Sequence, residues 1–316
     1  MTRIGQNPAK FVKDVAKPSR ITVAVLNYIP FLSGFYAEMD GVLKACLNSI
    51  YNTKIDEPFD VLVFDNGSCD EIKQFLLKEQ AEGRIQYLYL SEKNLGKGGA
   101  WNIIFEGAPG EIIAYTDNDC LFTPEWLSRS VKILETYPNV GMVTARPFRT
   151  NPELYTSTLN WADSDKDVEH EQGDIIPFEV FREFDLSLGQ SEEEIKKHYQ
   201  ETTDHKLTYR GVSALVGASH WQFTAYKDKL HEFLPFRMGR PMGQVKQLDT
   251  RMNEKGYLRL MTDKPCAMNM SNTLDNSAEA AVHQTNSKKS IYEIPVVKKV
   301  LLGLYNRIFH IYYDNR

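Results

Sequence analysis

Over its first 145 residues the chain alternates between near-continuous apolar runs and stretches of helical periodicity, which constrains its fold more than any other feature. ITVAVLNYI (21–29), FDVLVFDNGS (59–68), RIQYLYLS, GEIIAYT and NVGMVTAR read as strands, rich in β-branched and aromatic residues. Between them, GVLKACLNSIYNT (41–53) repeats Val42, Leu43, Cys46, Leu47 and Ile50 at helical spacing. CDEIKQFLLKEQAEG (69–83) carries acids early and a glycine at its end, as helix polarity prefers. GGAWNIIFEGA reads as a short helix, and TPEWLSRSVKILETYP as a helix with Thr123 as N-cap and Pro124 in first position. A strand that is apolar on both sides has no solvent face. The alternation therefore predicts an α/β fold with a mostly parallel central sheet and helices on both faces. Ligands in such sheets bind outside the carboxyl ends of the strands.

The rest of the chain divides by character. Residues 1–20 read as a polar, basic tail without the apolar stretch of a secretory signal. Residues 151–210 are polar and mostly acidic, and predict an irregular insertion with one helix lying over the binding edge as a lid. GVSALVGASHWQFTAY (211–226) returns to strand-like text, and QVKQLDTRMNEKGYLRLMT (244–262) reads as a helix and then a strand. The expected organisation is a tail (1–20), one domain (21–275, with a ligand half at 21–150 and a second half at 211–275), and a helical extension (276–316). In that extension Val297, Val300, Leu301, Leu304, Ile308 and Ile311 make one apolar stripe flanked by Lys298, Lys299 and Arg307. Such a stripe docks on the protein itself, on a second copy, or on a membrane surface.

Composition excludes several classes. A net charge of −5 supplies no basic field for a nucleic-acid partner. The cysteines, Cys46, Cys69, Cys120 and Cys266, form no C-x-x-C pair, so a reducing, cytoplasmic setting is expected. No run of about 18 apolar residues exists to span a membrane.

Three polar clusters interrupt the apolar runs at strand ends. In IIAYTDNDCLF (112–122), Asp117 and Asp119 stand one residue apart. On an extended segment they would point to the same side and hold Mg²⁺ or Mn²⁺, cations that prefer oxygen and share their ligands with substrate phosphates. In DNGSCD (65–70), Asp65 ends a strand where a carboxylate can accept the imide N–H of a pyrimidine base. In NLGKGGAWN (94–102), glycines and Lys97 open a helix, a setting that lets backbone N–H groups approach a phosphate. This is neither a P-loop nor a dinucleotide fingerprint. Taken singly, each cluster also fits an ordinary polar turn.

In this order and spacing the combination resembles the inverting-type family 2 glycosyltransferases and their GT-A relatives. The resemblance runs over about residues 20–150 and continues more loosely through GASHWQFTAYKDKLHEF and QVKQLDTRMNEKGY. It implies a GT-A domain that transfers a sugar from a nucleotide-sugar donor. It implies a divalent cation, Mn or Mg, and its bound diphosphate at Asp117 and Asp119. It implies donor-nucleotide contacts from Asn27, Tyr28, Asp65, Asn94, Gly96, Lys97, Gly98, Asp117 and Asn118. The family's general base, usually the second residue of a Glu-Asp pair, falls on Asp249 in QLDTR, with Leu248 in the first position. A further metal ligand, often histidine in the family, falls on Asn269 in CAMNMSNT or on the nearby His283. His220 and Trp221 stand where relatives place acceptor-facing residues. The first strand ends LNYIPFLSG rather than Pro-x-Tyr-Asn, and a longer aromatic segment follows. Q-x-x-R-W is missing, which argues against a processive polysaccharide synthase.

The expected activity is transfer of a single sugar from a UDP- or GDP-sugar to the hydroxyl of a glycan, lipid-linked or small-molecule acceptor. The alternatives are a glycosyltransferase-like module that binds nucleotide or glycan without turnover, and a sugar-phosphate nucleotidyltransferase. The second is disfavoured because its Gly-rich loop follows the first strand, where this chain has LNYIPFLSG.

Overall fold

The computed structural model describes residues 4–239 and 245–274. β1 (Ile21–Asn27) passes through α1 (Met39–Tyr51) to β2 (Phe59–Asp65), and α2 (Asp70–Ala81) leads to β3 (Tyr87–Leu90). α3 (Gly96–Gly107) then returns the chain to β4 (Ile112–Asp117), on the other side of β1. A short β5 (Cys120–Phe122), α4 (Trp126–Thr136) and β6 (Val140–Thr144) follow. The next segment holds α5 (Thr156–Ser164), β7 (Val168–Gly173), α6 (Phe178–Ser187), α7 (Glu192–Glu201) and β8 (Asp204–Tyr209). The described chain closes with β9 (Val212–Val216), β10 (Gln222–Tyr226), α8 (Lys227–His231), α9 (Lys246–Glu254), β11 (Leu258–Met261) and β12 (Ala267–Asn269).

Among the described residues, the main sheet has the order β3-β2-β1-β4-β10-β6-β11-β9-β8-β7. Its first four strands are parallel. β10 enters antiparallel beside β4, β6 and β11 pair in parallel, and the far edge is antiparallel. Period-two geometry explains the unbroken apolar runs. In β1, Ile21, Val23 and Val25 pack with Val42, Leu43 and Cys46 of α1, while Ala24 and Leu26 pack with Ala100, Trp101 and Ile104 of α3 on the opposite face. Both faces are buried, as the sequence predicted.

Because β2 and β4 flank β1 and are reached in opposite directions along the sheet, the order reverses at β1. The carboxyl ends of β1 and β4 therefore frame a crevice at the switch point, where open α/β sheets take ligands. Register sets what lines it: Asn27 lies opposite Asp65, and Leu26 opposite Asp117.

Several expectations are corrected. The 151–210 segment is not irregular: it builds three helices and adds β7 and β8 to the sheet edge. Its β7 reads VEHEQG because that strand is largely solvent-exposed, so the apolar signal of the inner strands is absent. α4 starts at Trp126 with Glu125 at its cap, not at Pro124 with Thr123 capping; the Thr123 carbonyl instead accepts from Trp126 N–H at 3.2 Å. β5 and β12 pair as a separate two-stranded ribbon that the sequence reading did not contain. His283 and the stripe on residues 297–311 lie outside the described residues. No described helix is long and apolar enough to cross a membrane.

Candidate active site

The floor of the crevice is a buried amide and carboxylate network at the ends of β1 and β2. Asn27 Nδ2 donates to Asp65 Oδ1 at 2.7 Å and to Ser68 Oγ at 3.0 Å. Ser68 N–H donates to Asp65 Oδ2 at 3.1 Å, and Asn118 Nδ2 donates to Asn27 Oδ1 at 2.7 Å. Asp65 is fully buried with both oxygens accepting from protein donors, so in this state it braces the DNGS turn. Ser68 went unread in the sequence, although a side-chain turn three residues after an Asp is a recognisable signal.

A second network ties that turn to the glycine-rich one. Asn66 Nδ2 donates to Asn94 Oδ1 at 3.0 Å, and Asn66 Oδ1 accepts from Leu95 N–H at 2.8 Å. Asn94 Oδ1 also accepts from Gly96 N–H at 2.8 Å, which takes up one unpaired donor at the start of α3. Gly96 has φ of +69°, a conformation side chains resist. Gly98 faces Phe236 and Met238 so closely that a Cβ would lie 2.4 Å from Met238 Sδ. Tyr28 packs edge-on against Tyr36 at 6.2 Å, beside the exposed rings of Phe31 and Phe35.

This arrangement aims Lys97 across the crevice. Its Nζ lies 2.6 Å from Asp117 Oδ2 and over the rings of Trp101 and Tyr115. The Tyr115 hydroxyl donates to Asp117 Oδ1 at 2.6 Å. Asp117 and Asp119 do not lie on one extended face, as the sequence reading supposed: Asn118 and Asp119 form a turn between β4 and β5. They remain close enough to repel. Burial and the Asp117 charge push the Asp119 carboxyl up to about 7, against the pull of Lys97. β12 runs beside this turn, with Asn269 opposite Cys120 and Met270 N–H donating to the Asp119 carbonyl at 2.8 Å. Asn269 is thereby brought alongside Asp119, its Oδ1 accepting from Ser271 N–H at 2.8 Å.

Two repelling carboxylates, one of them paired with the Lys97 ammonium, suit a divalent cation, whose charge relieves the repulsion. Among the described residues no three His, Cys, Asp or Glu side chains converge as a complete ligand set. The donor set therefore fits a cation that takes its other oxygens from a diphosphate and water, and does not fit an all-protein cage.

The opposite wall is built around Asp249, on the buried side of α9. His220 Nδ1 lies 2.5 Å from Asp249 Oδ2, and Arg259 Nη2 lies 2.5 Å from Asp249 Oδ1. Burial pushes the Arg259 guanidinium below the usual arginine range, offset by the Asp249 carboxylate. Arg259 was missed in the sequence, yet a lone arginine inside the apolar strand YLRLM is a signal, because a buried guanidinium needs a partner. The neighbouring loop joins this wall to the end of β4: the Trp221 carbonyl accepts from Asp117 N–H at 3.1 Å. His220 turns toward Trp101 at 6.4 Å, while the Trp221 indole packs with Phe148 and Phe184. Only His220 of this pair joins the central cluster.

A parallel first half, a mixed second half and two carboxylates near the switch point agree with the expected GT-A-type fold. Residues 35–184 match the family model described as Glycosyl transferase family 2. An uncharacterized glycosyltransferase of Nostoc sp. is 31% identical over 126 residues, covering 39% of this chain and 35% of that protein. Glycosyltransferase AglE of Haloferax volcanii is 27% identical, covering 39% of this chain and 45% of that protein. The chain thus spans less than half the length of these relatives. Among solved structures, a mannosyltransferase of Pyrobaculum calidifontis in complex with GDP-Man and Mn²⁺ is 28% identical, covering 43% of this chain and 39% of that one, with a TM-score of 0.33. S. aureus TarS is 16% identical over 79% of this chain and 60% of that one, with a TM-score of 0.44. Residues 35–184 of the chain are thus similar to family 2 glycosyltransferases.

Proposed function

We propose that the protein transfers one sugar from a UDP- or GDP-sugar to an acceptor hydroxyl, with inversion at the anomeric carbon. The observation that carries this is the meeting of two opposed chemistries at one sheet edge. Asp117, Asp119 and Lys97 are suited to a diphosphate, and the Asp249–His220 pair is suited to an acceptor proton. The Asn27, Asp65 and Asn118 floor and the Asn66–Asn94 bridge would shape the nucleoside end, with Tyr28 at its rim. Gly96 and Gly98 would let the start of α3 approach the phosphates. A bound Mn²⁺ or Mg²⁺ would be held by Asp117 and Asp119, with Asn269 beside them, and would stabilise charge on the leaving diphosphate. Lys97 adds a fixed positive charge at the same place. The Asp249 centre removes the acceptor proton as its oxygen attacks. The acceptor is a glycan, a lipid-linked group or a small molecule.

A binding module without turnover is the second reading, and one observation favours it: both oxygens of Asp249 already accept from protein donors. The deciding experiment is thermal melting with UDP, GDP, CDP and dTDP, each with and without Mn²⁺, followed by assay of nucleotide release from the matching donors. A ligand at about 100 times its Kd adds about 2.7 kcal/mol, a readily visible shift. A metal-dependent shift with one nucleotide and release from its sugar donor supports transfer. A shift without release supports the binding module, and no shift with any nucleotide defeats both.

A further inference from the structure

We infer that a cavity beside α5, separate from the crevice, is a second binding site that takes one neutral pyranose ring. The site stands on the cavity and its unpaired polar groups, and the choice of a sugar rests on the transferase reading above.

The cavity has a volume of about 180 Å³ and lies between the 151–210 segment and the ends of β9 and β11. A cavity of about 150 Å³ takes a benzene ring, so one six-membered ring fits here with its substituents at the mouth. Buried apolar side chains line it: Phe148, Ile176, Leu215, Val216 and Met261.

The charges around it are already paired within the protein. Arg149 donates to Asp204 at 2.8 and 3.0 Å and to the Thr202 carbonyl at 2.8 Å. Asp204 Oδ2 also accepts from the N–H groups of Ile175 and Ile176. Glu201, at the mouth, pairs with Lys197. No ion is left over for a charged ligand, which points to a neutral one.

Two neutral polar groups remain open. Tyr155 is 5% exposed, yet its hydroxyl has no hydrogen-bond partner among the described residues. Burial, then the nearby Asp204 charge, pushes that phenol above its ordinary range, so it is a donor at neutral pH. His205 Nδ1 lies 3.0 Å from His170 Nε2, which leaves His205 Nε2 open. Burial and His170 hold the His205 imidazole below the usual 6.5, so it is neutral at pH 7. A buried hydroxyl without a partner is costly, and a ligand hydroxyl relieves it. Apolar walls with a few neutral hydrogen-bonding groups match a pyranose, with its C–H faces and its belt of hydroxyls.

The cavity also adjoins the Asp249 wall. The Leu154 carbonyl, next to Tyr155, accepts from Arg259, which holds Asp249. A Cβ on Gly217 would lie 2.8 Å from Thr150 Cγ2 and 3.1 Å from Met261 Cε, so the cavity lining packs against the loop that carries His220. Occupancy of the cavity is thereby coupled to the elements that hold Asp249.

The test measures binding of glucose, galactose, mannose and N-acetylglucosamine to the full chain. Saturation-transfer NMR and calorimetry read it, with and without UDP or GDP and Mn²⁺. One of these sugars is expected to bind at millimolar concentration together with the nucleotide. Tyr155→Phe and His205→Gln, each checked for folding by melting, should weaken it roughly 3- to 10-fold while nucleotide affinity holds. Oligosaccharides of the bound sugar separate its two sources. Tighter binding of the oligomer, with its consumption as acceptor, assigns a glycan unit. Weaker binding of the oligomer, with the free sugar altering nucleoside diphosphate release, assigns a free sugar. No sugar binding by a chain that binds nucleotide overturns the site. So does a sugar that the nucleotide displaces competitively, or one whose affinity both variants leave unchanged. A chain that binds no nucleotide defeats the transferase reading instead.

Discussion

The Lys97 ammonium lies 2.6 Å from Asp117 Oδ2, on a carboxylate whose other oxygen accepts from the Tyr115 hydroxyl at 2.6 Å. A positive charge thus already stands where a diphosphate and its cation are expected. Lys97 is held there by the α3 start and by the faces of Trp101 and Tyr115. Hydrogen bonds to charged groups contribute about 1.5–3 kcal/mol, so Lys97→Met should weaken UDP or GDP binding roughly 10- to 100-fold. Calorimetric titration in Mn²⁺ measures this, and unchanged affinity would locate the diphosphate elsewhere.

Asp119 makes the metal-free protein sensitive to pH. Burial and Asp117 push its carboxyl from the ordinary 3.8 up to about 7. The folded state therefore favours the protonated form. That contribution is fully present below about pH 3.8, and it is lost as pH rises through about 7. Asp119→Asn removes the loss. Melted in EDTA, this variant should gain stability over wild type more at pH 8 than at pH 5, and it should lose the Mn²⁺-dependent nucleotide shift. An equal gain at both values would contradict the argument.

Gly96 couples backbone conformation to binding. With φ of +69° it turns the chain so that its N–H reaches Asn94 Oδ1 and the next residue reaches Asp117. Left-handed backbone costs an L-residue roughly 1–2 kcal/mol. Gly96→Ala should lower unfolding free energy in urea by that amount and weaken nucleotide binding as Lys97 is displaced. A variant with wild-type stability and affinity would show that the turn tolerates a side chain.

Arg259 is the buried keystone of the opposite wall. Arg259→Met leaves the Asp249 carboxylate buried beside His220 alone, and breaking such a pair costs about 3–5 kcal/mol. The double variant Arg259→Met/Asp249→Leu removes the orphaned charge and should recover much of that loss in chemical denaturation. Failure to recover would mean that Arg259 matters through its bonds to the Ala218 and Leu154 carbonyls instead.

The fold was legible where burial leaves a periodic mark. The strands from Ile21 to Thr144 are apolar because helices cover both faces, and the crevice residues Asn27, Asp65 and Asp117 are the polar stops at their ends. Where burial is one-sided or slight the mark fades. β7, with VEHEQG, was unreadable for that reason, and β5 and β12 because three residues are too short to show a period.

The sequence by itself determined the alternating architecture and the candidates for the diphosphate side, because strand periodicity and turn chemistry are local. Tertiary structure alone decided how distant segments combine. Asn66 meets Asn94, Lys97 meets Asp117, and Asn269 is laid beside Asp119 by a ribbon pairing. Above all, His220, Asp249 and Arg259 come from a loop, a helix and a strand separated in the chain. No local pattern encodes such a contact, since it exists only once the sheet order and the packing of α9 bring the three side chains within hydrogen-bond reach.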